Sequence, residues 1–225
     1  KIEEVRIARF DAKQQALYDG QVVKTLKLVQ SQSEEELSKS KIQILAELMR
    51  LRQICCDPGL AFSNYEGASA KRELCLEMVQ SAIAGEHKVL IFSQFKSMLE
   101  LLADDLQREG IGYYTITGET PKEKRLELVR AFNNDATPVF LISLKAGGTG
   151  LNLTGADVVI HYDPWWNVAA QNQATDRAHR IGQEKVEEKI LKMQNDKQNL
   201  AESILSVDGR NSIFTMSKEE LLNLL

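Results

Sequence analysis

Gln173, Arg177 and Arg180 are spaced four and three residues apart, so on a helix they share one face. Two arginines on one face can clamp the charge that builds on a phosphoryl group in transfer, the arginine-finger role; the same spacing also suits surface salt bridges. Upstream, Ala146-Gly147-Gly148-Thr149-Gly150 follows an apolar run. Glycines there let the backbone approach a ligand and aim N–H groups at an anion, or simply make a tight turn. No Gly-Lys-Ser/Thr ends the loop, so it is not a Walker A loop, and a dinucleotide fingerprint begun at Gly148 fails at Leu153. Trp165 and Trp166 follow Asp163-Pro164. Adjacent side chains in an extended loop point different ways. One Trp can fill the core while the other offers a stacking surface to nucleic acid, or both pack under the loop.

Other chemistry is not suggested. His87, His161 and His179 are scattered without ligand spacing, and His161 sits in an apolar run as a core residue. Cys55, Cys56 and Cys75 form no C-x-x-C pair, so they read as reduced, buried thiols rather than zinc ligands or disulfides. No metal site, Ser-His-Asp order or carboxylate pair is expected. A net charge of −4 argues weakly against a dedicated nucleic-acid binder, but a motor can use a local groove rich in backbone amides. No apolar run approaches the ~20 residues of a membrane helix, no signal peptide is visible, and a soluble intracellular protein with no membrane partner is expected.

These residues need elements to hold them. The 225 residues, 43% apolar and 27% charged, suffice for one large domain or two small ones. Residues 1–60 read as helical: Asp11 caps a helix through about Gln30, the polar stretch SQSEEELSKS follows, and a second helix runs from about Lys41 to Ile54 until Asp57-Pro58-Gly59 stops it. Residues 61–68 read as a loop, and Ser69 caps a helix reaching about Ala84. From Lys88 the pattern alternates. KVLIFS (88–93), YYTIT (113–117), PVFLIS (138–143) and ADVVIHY (156–162) read as strands. Helices are expected at 97–109, ended by Gly110, and after a capping box at Thr120–Glu123, to about Asn133. Residues 184–225 read as helical and charged. Apolar strands separated by helices imply an α/β fold, a parallel sheet covered on both faces. Ligands gather at the carboxyl ends of such strands, where Ser93-Gln94, Thr117-Gly118, the glycine loop and 163–167 all fall.

At this point the sequence resembles a family. KVLIFSQF (88–95), the block from Tyr113 to Phe132 with Thr117-Gly118 and Arg125, LISLKAGGTGLNLT (141–154), DPWWN (163–167) and QATDRAHRIGQ (173–183) are similar to the helicase motifs of the second RecA-like lobe of Swi/Snf-type ATPases, in helicase superfamily two. The match is close over about 85–183 and looser at LMRLRQICCDP (48–58), which is similar to the helical protrusion before that lobe. The resemblance implies residues 1–68 as protrusion and linker, 69–183 as the RecA-like lobe and 184–225 as a brace. It implies Arg177 and Arg180 as arginine fingers and Gly148, Gly150, Gln173, Asp176 and Gln183 at the ATP interface. Ser93, Gln94, Gly118, Lys145, Ala146, Gly147, Trp165 and Trp166 would lie along DNA, reading phosphates rather than bases.

The implied activity is DNA-dependent ATP hydrolysis driving translocation on double-stranded DNA and remodelling of protein–DNA complexes. ATP and Mg2+ would be held mainly by a first RecA-like lobe of the same polypeptide, and the isolated lobe would be inactive. What is displaced stays open: a nucleosome, RNA polymerase or another DNA-bound protein. The location would be cytoplasmic, with the nucleoid, if bacterial and nuclear if eukaryotic. The rivals are an RNA helicase lobe and a non-catalytic DNA- or protein-binding module. Two departures stand out. Val168 replaces a usual proline, and Gln183 runs almost directly into EKVEEKI where the family pattern has a further strand, so either that segment is deleted or, the favoured expectation, residues are missing after Gln183.

Overall fold

A computed structural model describes residues 2–67, 69–147, 151–163, 187–194 and 217–224. The chain forms two compact units, Lys1–Ala8 with Lys71–Lys192, and Arg9–Ala70 with Met193–Leu225.

The first unit is a sheet wrapped by helices. Its strands are β1 (Ile2–Arg9), β2 (Val89–Ser93), β3 (Tyr113–Ile116), β4 (Val139–Ser143), β5 (Val158–His161) and β6 (Glu187–Gln194), in the order β1-β6-β5-β2-β4-β3. The β3/β4, β2/β4, β2/β5 and β5/β6 pairs are all parallel. Every residue of β2, β4 and β5 is buried, which explains why these runs carry no alternating polar positions. Three of the unit's helices are α3 (Ala70–Ala84), α4 (Lys96–Arg108) and α5 (Lys122–Asn134). Leu90 and Phe92 of β2, Phe140 and Ile142 of β4 and Val159 of β5 form one core with Val129 and Phe132 of α5. α4 packs on β2, β3 and β4, and Gly110, at a left-handed φ of 69°, turns the chain after it. The connection leaving β2 runs toward β3, while that leaving β5 runs toward β6 on the other side. The crevice of a doubly wound sheet opens between two such strands, beyond their carboxyl ends.

The second unit pairs α1 (Ala12–Gln30) with α2 (Glu34–Cys56). Asp11 caps α1 by accepting from the Gln14 amide at 2.6 Å. Val29, Leu37, Ile44, Leu48, Leu51 and Ile54 are buried at helical spacing, and Gln14 Nε2 donates to the Ile54 carbonyl at 2.8 Å. Asp57 stops α2 by accepting from the Gly59 amide at 2.7 Å in a short 3-10 turn, Pro58–Leu60. A short helix, Lys218–Leu224, places Leu221 in the core, and Lys218 Nζ donates to the Gln30 and Gln32 carbonyls at 3.0 and 2.5 Å, groups the end of α1 leaves unpaired.

Four expectations need correction. The first ten residues are not helical: Glu4-Val5-Arg6-Ile7 alternates charged with apolar residues, and β1 takes the outermost place in the sheet, where charges are tolerated. The second helix starts at Glu34 rather than at about Lys41, taking in most of the polar stretch. Ser33 and Glu36 form a capping box there, and Glu34, Glu35 and Glu36 suit a helix N-terminus. The box expected at Thr120 does not form: the Thr120 hydroxyl accepts from the Thr117 amide at 3.0 Å, and α5 starts after Pro121 with no side-chain cap. Residues 187–194 form a strand rather than helix, because pairing with β5 outweighs the helix propensity of EEKILKMQ. The interruption expected after Gln183 falls on residues outside the described ones.

Candidate nucleic-acid interface at the carboxyl edge of the sheet

The carboxyl ends of β2, β3 and β4 meet at one rim. Ser93 and Ser143 are register partners, the last residues of β2 and β4. Both are buried, and each hydroxyl accepts from a backbone amide: Ser93 Oγ from Phe95 at 3.1 Å, Ser143 Oγ from Ala146 at 3.3 Å. These bonds bend the chain sharply away from each strand, which starts α4 after β2 and the short α6 (Leu144–Gly147) after β4. Gln94 is half-buried at the rim.

Asp163 holds the crevice between β2 and β5. Only 2% exposed, its carboxylate accepts from the Gln94 amide at 3.0 and 3.3 Å. The preceding Tyr162 is buried under the Lys71 ammonium, 5.3 Å above its ring. Beside Lys71, burial pushes the Cys75 thiol up to about 12, leaving a neutral thiol. Asp105 carries the nearby negative charge and is paired with Arg72 at 2.8 Å and with Arg108.

The turn after β3 forms the other wall. Thr117 Oγ1 accepts from the Glu119 amide at 3.3 Å. Arg125 grips the turn from α5, donating from Nε to the Thr120 carbonyl at 2.7 Å and from its terminal nitrogen to the Gly118 carbonyl at 3.0 Å. A Cβ on exposed Gly118 would meet nothing within 4 Å, so the space above the turn is open. Gln94, Phe95, Lys96, Ser97 and Glu100 on one side and Thr117, Gly118 and Glu119 on the other line a groove of ≈ 560 Å³ floored by Ser143. Lys96 Nζ spans it to Glu119 at 2.6 Å, with Glu100 at 3.9 Å. The hydrogen bond that the Lys96 ammonium donates to Glu119 raises its pKa above the ordinary value.

Of the residues expected to line DNA, Ser93, Gln94 and Gly118 therefore share this rim with Ala146, whose side chain is wholly buried in the core. Gly147 and Lys145 stand in α6. Gly148, Gly150, Trp165, Trp166, Gln173, Asp176, Arg177, Arg180 and Gln183 lie outside the described residues. The sequence reading missed Asp163 as a clamp, Arg125 as a turn anchor and the Lys96–Glu119 pair. For Asp163 a signal existed: an acid directly after a buried strand and before proline. His161 is a core residue as expected, stacked on Phe92 with ring centroids 5.6 Å apart, and the three cysteines are buried and in no disulfide.

Comparison with known proteins agrees with this architecture. The model of the helicase conserved C-terminal domain matches residues 70–182. A putative ATP-dependent helicase/translocase of Bacillus subtilis, YwqA, is 38% identical over 98% of this chain and 25% of its own length. A human SWI/SNF-related, matrix-associated, actin-dependent regulator of chromatin (subfamily A member 1) is 35% identical over 82% of the chain and 20% of its own length. The chain thus spans about a fifth to a quarter of such relatives. Among solved structures, the Sulfolobus solfataricus SWI2/SNF2 ATPase C-terminal domain superimposes with a TM-score of 0.80 at 26% identity, covering 100% of this chain and 97% of that one. The core of that ATPase in complex with double-stranded DNA gives 0.76 at 28% identity, over 99% of this chain and 46% of that one. With its RecA-like parallel sheet and the matching motifs along it, the chain belongs to the helicase conserved C-terminal domain family and resembles the C-terminal lobes of Swi/Snf ATPases within it.

Proposed function

We propose that this chain is the C-terminal motor lobe of an ATPase that translocates on double-stranded DNA and remodels protein–DNA complexes. The observation that carries the reading is the open groove at the carboxyl edge, lined by Gln94, Lys96 and Ser97 on one wall and by Thr117 and the exposed Gly118 on the other. Such a surface suits a phosphate backbone, because small polar groups and backbone amides grip phosphates without reading bases. The Asp163–Gln94 and Arg125–Gly118 bonds fix the two walls before any ligand arrives, which lowers the ordering cost of binding.

Bound ATP with Mg2+ would supply the phosphoryl group whose transfer drives the cycle. The magnesium would be held mainly by a first RecA-like lobe of the same polypeptide. The proposed task of this chain is to present charge. Arg177 and Arg180 would face the phosphates, with Gln173, Asp176, Gln183, Gly148 and Gly150 forming the surrounding surface.

The test is ATP turnover by the full-length parent with duplex DNA, single-stranded DNA, RNA or nothing, beside Arg180→Ala. Duplex-stimulated turnover that falls on the order of 10³-fold in the variant is expected, the scale of an arginine finger. Stimulation by RNA alone would support an RNA helicase lobe. Turnover indifferent to nucleic acid and to the substitution would leave a non-catalytic module.

A further inference from the structure

We infer that the Glu119 carboxylate is an internal stand-in for a DNA phosphate, holding Lys96 across the groove in the free chain and yielding it to the backbone when a duplex enters. This rests on the proposed DNA reading of the groove and names a device that regulates it.

Three features point this way. The first is position. Lys96 opens α4, a helix with no acidic residue in its first turn and no side-chain cap. A cation there opposes the helix dipole, so local helix stability does not explain it. What partners the ammonium instead is Glu119, which reaches it from the opposite wall, 23 residues away. The second is exchangeability. The Lys96 and Glu119 side chains are 48% and 75% exposed, and an ion pair so open to water is weak enough for a phosphate to displace. The third is balance. Among the described side chains, the charged groups lining the groove are Lys96, Glu100 and Glu119, one cation against two carboxylates. With the pair closed, that cation is already held by Glu119. With it open, Lys96 is available and Glu119 must move away. The pair thus limits how tightly this wall holds DNA, which favours the release a translocating lobe needs at each step.

The test measures binding of the full-length parent to a blunt duplex as salt is varied, for wild type, Glu119→Gln, Lys96→Gln and the double variant. When Lys96 leaves Glu119 for a phosphate, the freed carboxylate recovers a counterion and the net release is small. Without that carboxylate, one more counterion is released. Glu119→Gln should therefore bind about two- to five-fold tighter at low salt, the scale of an exposed ion pair. Its log–log salt slope should steepen by about 0.9. The double variant should lose both gains. An unchanged slope in Glu119→Gln, or tighter binding that survives in the double variant, would overturn the exchange, since Glu119 would then act by plain repulsion or not at all. A wild type that neither binds duplex nor is stimulated by it would sink the translocase reading itself, a pattern distinct from normal wild-type binding with indistinguishable variants.

Discussion

The Asp163 carboxylate is buried and receives the Gln94 backbone amide through both oxygens. Removing it leaves that N–H without its acceptor beside a strand end. Asp163→Ala is expected to cost about 1–3 kcal/mol of stability. Asp163→Asn keeps a carbonyl acceptor and should cost less. Urea denaturation of the three proteins checks this, and an alanine variant as stable as the asparagine one would mean the bond does not hold the crevice. The loss should also blunt duplex stimulation, because Gln94 opens the groove. Residues of this kind explain the limits of reading the site from sequence. Ser93, Gln94 and Gly118 were legible because apolar runs mark strands and ligand sites follow strand ends. Asp163 reaches Gln94 across 69 residues and Lys96 reaches Glu119 across 23, and no local spacing encodes either contact.

Among the elements, α2 shows how a helix divides its work between faces. Leu48 and Leu51 are buried against the rest of their unit, while Ile42 is 74% exposed. Leu48→Ala should cost about 2–5 kcal/mol, the transfer and cavity terms together. Ile42→Ala should stay within about 0.5 kcal/mol of wild type. Shifts in the urea midpoint at constant slope distinguish them, and equal losses would mean that α2 is turned from the described face. The core half of this helix was legible from its apolar period, whereas its first two turns were not, because SQSEEELSKS is polar throughout and only the Ser33–Glu36 box and the buried Leu37 mark it as helical. The sheet divides the same way. β2, β4 and β5 are continuous apolar runs whose composition leaves no other home than a covered sheet. β1 and β6 mix charged and apolar residues and become strands only by pairing with neighbours far away in the chain.

For the molecule as a whole, the proposed chemistry is divided between polypeptide regions. The 225 residues contain no Gly-Lys-Ser/Thr sequence to cradle the β- and γ-phosphates. Arginines facing a phosphoryl group stabilise charge in transfer, but they neither bind the nucleotide in place nor position the attacking water. On the lobe reading, the isolated chain should fold, because its sheet core is filled from its own residues, and yet release phosphate from ATP no faster than buffer does. Duplex DNA should not change that. The full-length parent, assayed in parallel, should turn over ATP and respond to duplex. The two measurements must be read together. A folded, inactive chain beside an active parent locates the missing groups outside these residues. Robust turnover by the chain alone would mean that it carries a complete nucleotide site, and the division of labour on which the arginine-finger assignment of Arg177 and Arg180 depends would have to be abandoned.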